Sequence, residues 1–253
     1  MSRRMAEVLE DGDIYFLYRP RVGEEHVGSL AEVQRLLVVL HPWRGRRRLR
    51  LLVVGRKHLP EISEHARYWA FVESVVDRPE QLSEALRPSR YVTKTRGERL
   101  QQAPRPVAEG AYCVTRHDDH THLAYQLELP RRPGPPQREL DIEPEASYIV
   151  TVKNPEAPSP PGVGLPGRGK ARLPADLQER FHTRRFAPVD PPRFLDHPGV
   201  ELVLIGAAHD ASAELGIDLD AEVERAARDT IFEELRIGRA DRPVAPEITA
   251  RWR

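Results

Sequence analysis

The chain has 253 residues, 40% hydrophobic and 31% charged, a globular composition that excludes a disordered chain or a bundle of membrane-spanning helices. Lysine plus arginine and aspartate plus glutamate number 39 each, so no global charge commits the protein to nucleic acid or membrane, and any polyanion site must be a local patch. The single cysteine, Cys113, excludes an intramolecular disulfide framework, and no run approaches the ~18 apolar residues of a membrane span; a cytoplasmic protein without membrane contact is expected.

Taken in order, Asp11-Gly12-Asp13 reads as a turn. Ile14 to Tyr18 then reads as a strand apolar on both faces, hence central in its sheet, and ends at Arg19-Pro20-Arg21. A second strand is expected from about Gln34 to Leu40, stopped by His41-Pro42, and a third over Leu49 to Val54. Gly45 to Arg50, which leads into the third strand, carries four arginines whose simplest fate is a solvated hairpin. The third strand delivers Gly55-Arg56-Lys57-His58 at its end. Tyr68 to Val76 is a fourth strand, and Pro79 opens a short helix over Gln81 to Arg87. An aromatic such as Trp69 stacks a base in some proteins, but a core position is the commoner use. Tyr91 to Arg99, with Lys94, Arg96 and Arg99, reads as a strand entering a basic turn.

The stretch Glu109 to Pro130 carries the densest set of reactive side chains. Its two halves alternate, and closing a two-residue turn at Asp118-Asp119 pairs His117 with His120, Thr115 with His122, Val114 with Leu123 and Tyr112 with Tyr125. Asp-Asp is a poor pair for a two-residue turn because the second position also favours a left-handed residue. This register puts His117, His120 and His122 on one polar face, where opposed β-carbons lie about 4.5–5.5 Å apart. Three imidazoles there suit a divalent metal ion, with Asp118 or Asp119 as fourth ligand or general base. The simpler reading is a solvated tip rich in histidine. The order His-Asp-Asp-His-Thr-His also departs from the metallo-hydrolase signature His-x-His-x-Asp-His.

Beyond it, Ala146 to Lys153 is a strong strand, and residues 154–174 form a proline- and glycine-rich linker or lid. Gly162-x-Gly164-x-x-Gly167 and the run from Gly164 to Lys170 spell nucleotide-binding loops, but neither has the strand-turn-helix setting that presents free amides to phosphate. No nucleotide cofactor is expected. Pro174 to Arg185 begins like a helix, Val200 to Ile205 is a late strand, and Asp220 to Ile237 has the periodicity of a long helix between Asp220 and Gly238 caps.

These elements predict an α+β protein: a mainly antiparallel sheet or partly open barrel built from hairpins, with a few peripheral helices and a long C-terminal helix. The expected organisation is a β-rich domain over 1–153, whole or as packed sub-sheets 10–88 and 90–153, then the 154–174 linker and an α/β segment, 175–253, packing on the body.

Five segments, GDIYFLYRPRV, EVQRLLVVL, TKTRGER, DDHTHLAYQLELP and EPEASYIVTVKNP, resemble an uncharacterised group of bacterial and archaeal proteins over most of residues 10–206. That resemblance implies an independently folding protein and carries no substrate, cofactor or catalytic residue. Gly12-Asp13 entering an aromatic strand, and a later strand ending Val53-Val54-Gly55, are similar to parts of the small β-barrel domains that read modified bases, with the segments in a different order.

Three functions compete. The first is a non-enzymatic binding protein for a phosphate-bearing ligand, a nucleotide or single-stranded nucleic acid, held by Arg19, Arg21, Arg56, Lys57, Lys94, Arg96 and Arg99 with Trp69 stacking. The second is a metal-dependent hydrolase on the three-histidine hairpin, and the third a scaffold that engages a protein partner through the C-terminal helix and proline-rich segments.

Overall fold

The protein is described here from a computed structural model, which covers residues 6–93, 97–159, 170–217, 248 and 250–252. Its longest strand, β1 (Glu7–Pro20), runs straight through Asp11-Gly12-Asp13, correcting the expected turn. Gly12 serves close packing instead: a β-carbon there would overlap the carbonyl oxygen of His41 and lie 2.7 Å from the Tyr112 ring.

Strand β1 is flanked on one side by β2 (Val33–Pro42), followed outward by β3 (Leu49–Val54) and β4 (Arg67–Val76). On its other side lies β7 (Arg105–His117), then β8 (His120–Leu129) and β9 (Glu145–Lys153). The ring is completed by β11 (Glu201–Ala208), which pairs antiparallel with both β9 and β4. Eight antiparallel strands therefore close on themselves, while β10 (Phe186–Pro188) adds to β9 from outside and β5 (Ser89–Thr93) with β6 (Gly97–Gln101) forms a separate ribbon. The expectation of an α+β protein, a mainly antiparallel sheet or partly open barrel, is thus corrected to a closed antiparallel β-barrel with few helices among the described residues. The cause is pairing at long sequence range, which leaves no edge among the eight strands.

Helices are a minor component among the described residues: α1 (Pro79–Ala85), α2 (Pro135–Glu139), α3 (Ala175–Glu179) and α4 (Ala211–Leu215) span five to seven residues each. The expected helix from Pro174 to Arg185 shrinks to α3. The expected long helix, Asp220 to Ile237, lies outside the described residues, as do the glycines of the 162–167 pattern.

Alternation places one side chain in two inside the barrel. Ile14, Phe16 and Tyr18 of β1 meet Tyr125 of β8 and Tyr148 of β9, with Phe16 edge-on to Tyr125 at 5.0 Å between ring centres. The outer face of β1–β3 is apolar too, because Leu82 of α1 and the following Leu86 cover Leu17, Leu37, Leu51 and Val53. Strands buried on both faces lose the polar alternation of a surface strand, which is why Ile14–Tyr18 of β1 and Leu51–Val54 of β3 read as continuous apolar runs. One end of the barrel, where β3 turns toward β4, is stoppered by Val27, Leu59, Ile62, Leu140 and Ile142. The other, where β2 turns into β3, is stoppered by the chain from Ala171 to Val200 through Phe181, Val189, Phe194 and Leu195.

Candidate functional site

Arginine is most concentrated at the β2–β3 end. The connection between these strands turns on Gly45 (φ 74°) and on Arg47, itself in the left-handed region at φ 47°. The turn projects Arg44, Arg46 and Arg47 into solvent. Facing it are Pro174, Pro191, Pro192, Arg193, Asp196 and His197 from the stoppering segment, and the two walls enclose a cleft of about 470 Å³.

The floor of the cleft is a buried ionic network. Arg50 grips Glu10 with two guanidinium nitrogens at 2.5 and 2.9 Å and donates its Nε to Asp196 at 2.7 Å. Tyr112, whose ring lies over Gly12, donates its hydroxyl to Glu10 at 2.9 Å. Burial pulls the Arg50 guanidinium down, but Glu10, Tyr112 and Asp196 outweigh it and hold the cation firmly protonated. Burial likewise pushes the Tyr112 hydroxyl well above its usual range.

Rim and floor differ in charge. Arg48 is neutralised by Asp77 at 2.9 Å and Arg193 by Asp176, while Arg44 reaches Asp11 at 3.3 Å with its side chain 77% exposed. Arg46 and Arg47 have no ion-pair partner among the described residues. The floor, one guanidinium against two carboxylates, is formally −1. The cleft therefore offers exchangeable cations at its mouth and hydrogen-bond acceptors at its base.

The cations expected to hold phosphate lie elsewhere. Arg21, Arg56, Lys57 and Arg99 lie at the opposite, β3–β4 end, where Lys57 and Arg99 hold loops in place. Lys57 donates to the carbonyls of Leu30 and Ala31 at 3.2 Å each, Arg99 donates to that of Val22 at 3.2 Å, and Arg56 sits 5.9 Å over the Tyr68 ring. Desolvation, then the charge of Arg21, lowers the Lys57 ammonium. Arg19 is on the outer wall beside Arg35 and Glu73, its guanidinium lowered by burial and by Arg35. Trp69, half-buried on β4, has its ring tilted against that of Phe186 of β10 at 6.2 Å between centres. Lys94 and Arg96 lie outside the described residues.

The histidine hairpin has the register that alternation predicts: His117 opposes His120, Thr115 His122, Val114 Leu123 and Tyr112 Tyr125. Only Asp118 of the turn pair is left-handed, at φ 52°. The three histidines part company nonetheless. His120, Asp118 and Asp119 are exposed at the tip, whereas His122 is buried beneath α4, its ring 5.9 Å from that of His117 and its Nδ1 3.8 Å from Glu214 Oε2. Ser147 donates to the same Glu214 oxygen, and Glu145 accepts from the amide of Ser212 at 2.6 Å. Among the described residues no three His, Cys, Asp or Glu side chains are arranged to hold a metal ion. The hairpin face serves as the seat of α4.

Sequence reasoning registered the Gly45–Arg50 arginines but did not gather them into a site, and it missed Glu10, Arg193 and Asp196 altogether. Only the arginine density between two apolar strands was visible; its partners come from remote parts of the chain. Comparison with family models, with curated proteins and with solved structures gives no match.

Proposed function

We propose that this is a non-enzymatic binding protein for phosphate-bearing ligands, nucleotides and single-stranded nucleic acid among them, and that the arginine cleft is where phosphate is held. One observation carries the reading: Arg46 and Arg47 stand exposed, without a carboxylate partner among the described residues, beside Arg44 on the mouth of a cleft of about 470 Å³. That volume falls in the ~300–1,000 Å³ range of small-ligand sites. A guanidinium presents a planar fork to phosphate oxygens, and the Arg44 side chain, 77% exposed, stands open to solvent at the mouth while it reaches the buried Asp11. Glu10 and Asp196, at the base, suit the hydroxyl or amino groups of a nucleotide. A cytoplasmic location belongs to the same proposal; among the described residues no helix is long and apolar enough to cross a membrane.

The test is calorimetric titration with inorganic pyrophosphate at ~20 mM and ~200 mM salt, for the native chain and for Arg46→Ala/Arg47→Ala. Binding that weakens steeply with salt and falls at least tenfold in the double variant is expected. Absence of binding to the native chain at low salt overturns the reading.

A further inference from the structure

The β5–β6 ribbon is the one pair of described strands outside the barrel sheet; its β6 end is partly covered at Arg99, Leu100 and Gln101, while its β5 half is exposed. Residues Arg87 to Val92 are all exposed, as are Gly97 and Glu98. Val92 is 79% exposed and Tyr91 43%, two of the three exposed large hydrophobic side chains among the described residues. An isolated two-stranded ribbon is marginal in water. This one is tethered at its base by Gln101, which donates to the carbonyl of Pro20 at 3.1 Å, and by Arg99, which donates to that of Val22 at 3.2 Å.

The chemistry on the ribbon is specific. In its register Tyr91 opposes Arg99 on one face, where the exposed Tyr91 ring stands opposite the arginine whose guanidinium reaches the Val22 carbonyl. On the other, Arg90 is held by Glu98 at 3.1 Å beside Val92. Arg87, Arg90 and Arg99 against Glu98 leave the described ribbon and its approach at +2. A protein partner is a poor fit, because specific interfaces bury about 800 Å² per partner and exclude charge from their centre, whereas the ribbon offers one tyrosine and one valine among arginines. A ring flanked by cations on a protruding strand matches the demands of a single strand: a face for a base, and positive charge for the phosphates on either side.

We propose that the β5–β6 ribbon is a docking arm for single-stranded nucleic acid, with Tyr91 stacking a base and the exposed Arg87 and Arg90 following the backbone. This rests on the phosphate-binding function proposed above and deepens it. The ribbon springs from the β3–β4 end near Pro20 and Val22, the cleft opens at the β2–β3 end, and a polymer reaches both where a mononucleotide cannot.

Binding of fluorescein-labelled dT20 and dT4 is measured by anisotropy for the native chain, Tyr91→Ala, Glu98→Lys and Arg46→Ala/Arg47→Ala, with pyrophosphate titrations in parallel. Both ribbon substitutions fall on exposed side chains, and circular dichroism verifies that they leave the fold intact. The proposal expects dT20 to bind at least tenfold more tightly than dT4. Tyr91→Ala should weaken dT20 about 5- to 100-fold, the loss of one stacked base. Glu98→Lys, which releases Arg90 and adds a cation, should tighten dT20, and neither ribbon variant should change pyrophosphate binding. If pyrophosphate binds as proposed but dT20 is indifferent to both ribbon substitutions, the arm is wrong and the cleft stands. If the ribbon variants behave as expected while pyrophosphate does not bind, the cleft is wrong and the arm stands; failure of dT20 and pyrophosphate alike overturns both.

Discussion

Glu109 is the residue at which solvent exclusion and charge act most directly against each other. It lies buried on the outer wall of β7, one of its carboxyl oxygens lacks a hydrogen-bond partner, and burial together with Glu128 and Asp13 pushes it up to about 7. A carboxyl raised in the fold stays protonated while the unfolded chain ionises, so its stabilising share is complete below pH ~4.5 and is lost as pH rises toward 7. Above pH 7 the native state carries the full cost of a charge it disfavours. Glu109→Gln, neutral throughout, should therefore match the native protein at pH 4 and exceed it by on the order of 2 kcal/mol at pH 8 in urea denaturation. Equal stability of the two proteins at pH 8 would contradict the buried-acid account. Nothing in the local sequence marks Glu109, since alternation assigns it to the wall but not to a neighbourhood containing Glu128 and Asp13.

Among the elements, α4 has the most pH-dependent seat. Its five residues pack Ala211 and Leu215 over Cys113 and Ala124, and Glu214 meets Ser147 and His122. Burial lowers His122 below its usual range; His117 and His120 push the same way and Glu214 opposes them. A histidine lowered in the fold contributes stability that is present above the ordinary histidine range and drains away as pH falls through it, because the unfolded chain then takes up the proton more readily. Native stability should fall between pH 7.5 and 5, and His122→Gln should show a shallower fall; identical slopes would remove His122 from the pH response. The hairpin beneath was legible because both strands alternate and the turn is short. What escaped the sequence was the cover: α4 arrives from almost a hundred residues downstream and turns a histidine of the polar face into a buried one.

For the molecule as a whole, closure is the decisive event. Strand β11 lies between β4 and β9, and the stoppering segment delivers Phe194 to the core and Asp196 to Arg50. A chain ending at residue 153, the expected limit of the β-rich domain, would expose the facing edges of β4 and β9 and leave Arg50 without Asp196. Exposed edges recruit other chains, so this fragment should aggregate or lack a cooperative urea transition, whereas the full chain unfolds cooperatively. A soluble, cooperatively folding fragment would show that the seven barrel strands it retains suffice.

The sequence by itself determined the local pairings: the runs of β3 and β4, the central place of β1, and the register of β7 with β8. Each follows from side-chain alternation and short connections, which act over a few residues. Only the tertiary structure decided that the sheet closes, that Arg50 is an interior cation beneath an arginine cleft, that Arg21, Arg56 and Lys57 lie at the end away from that cleft, and that His122 parts from His120. Those outcomes depend on contacts between segments far apart in the chain, such as β11 with β4 and Arg50 with Asp196, which no local periodicity encodes.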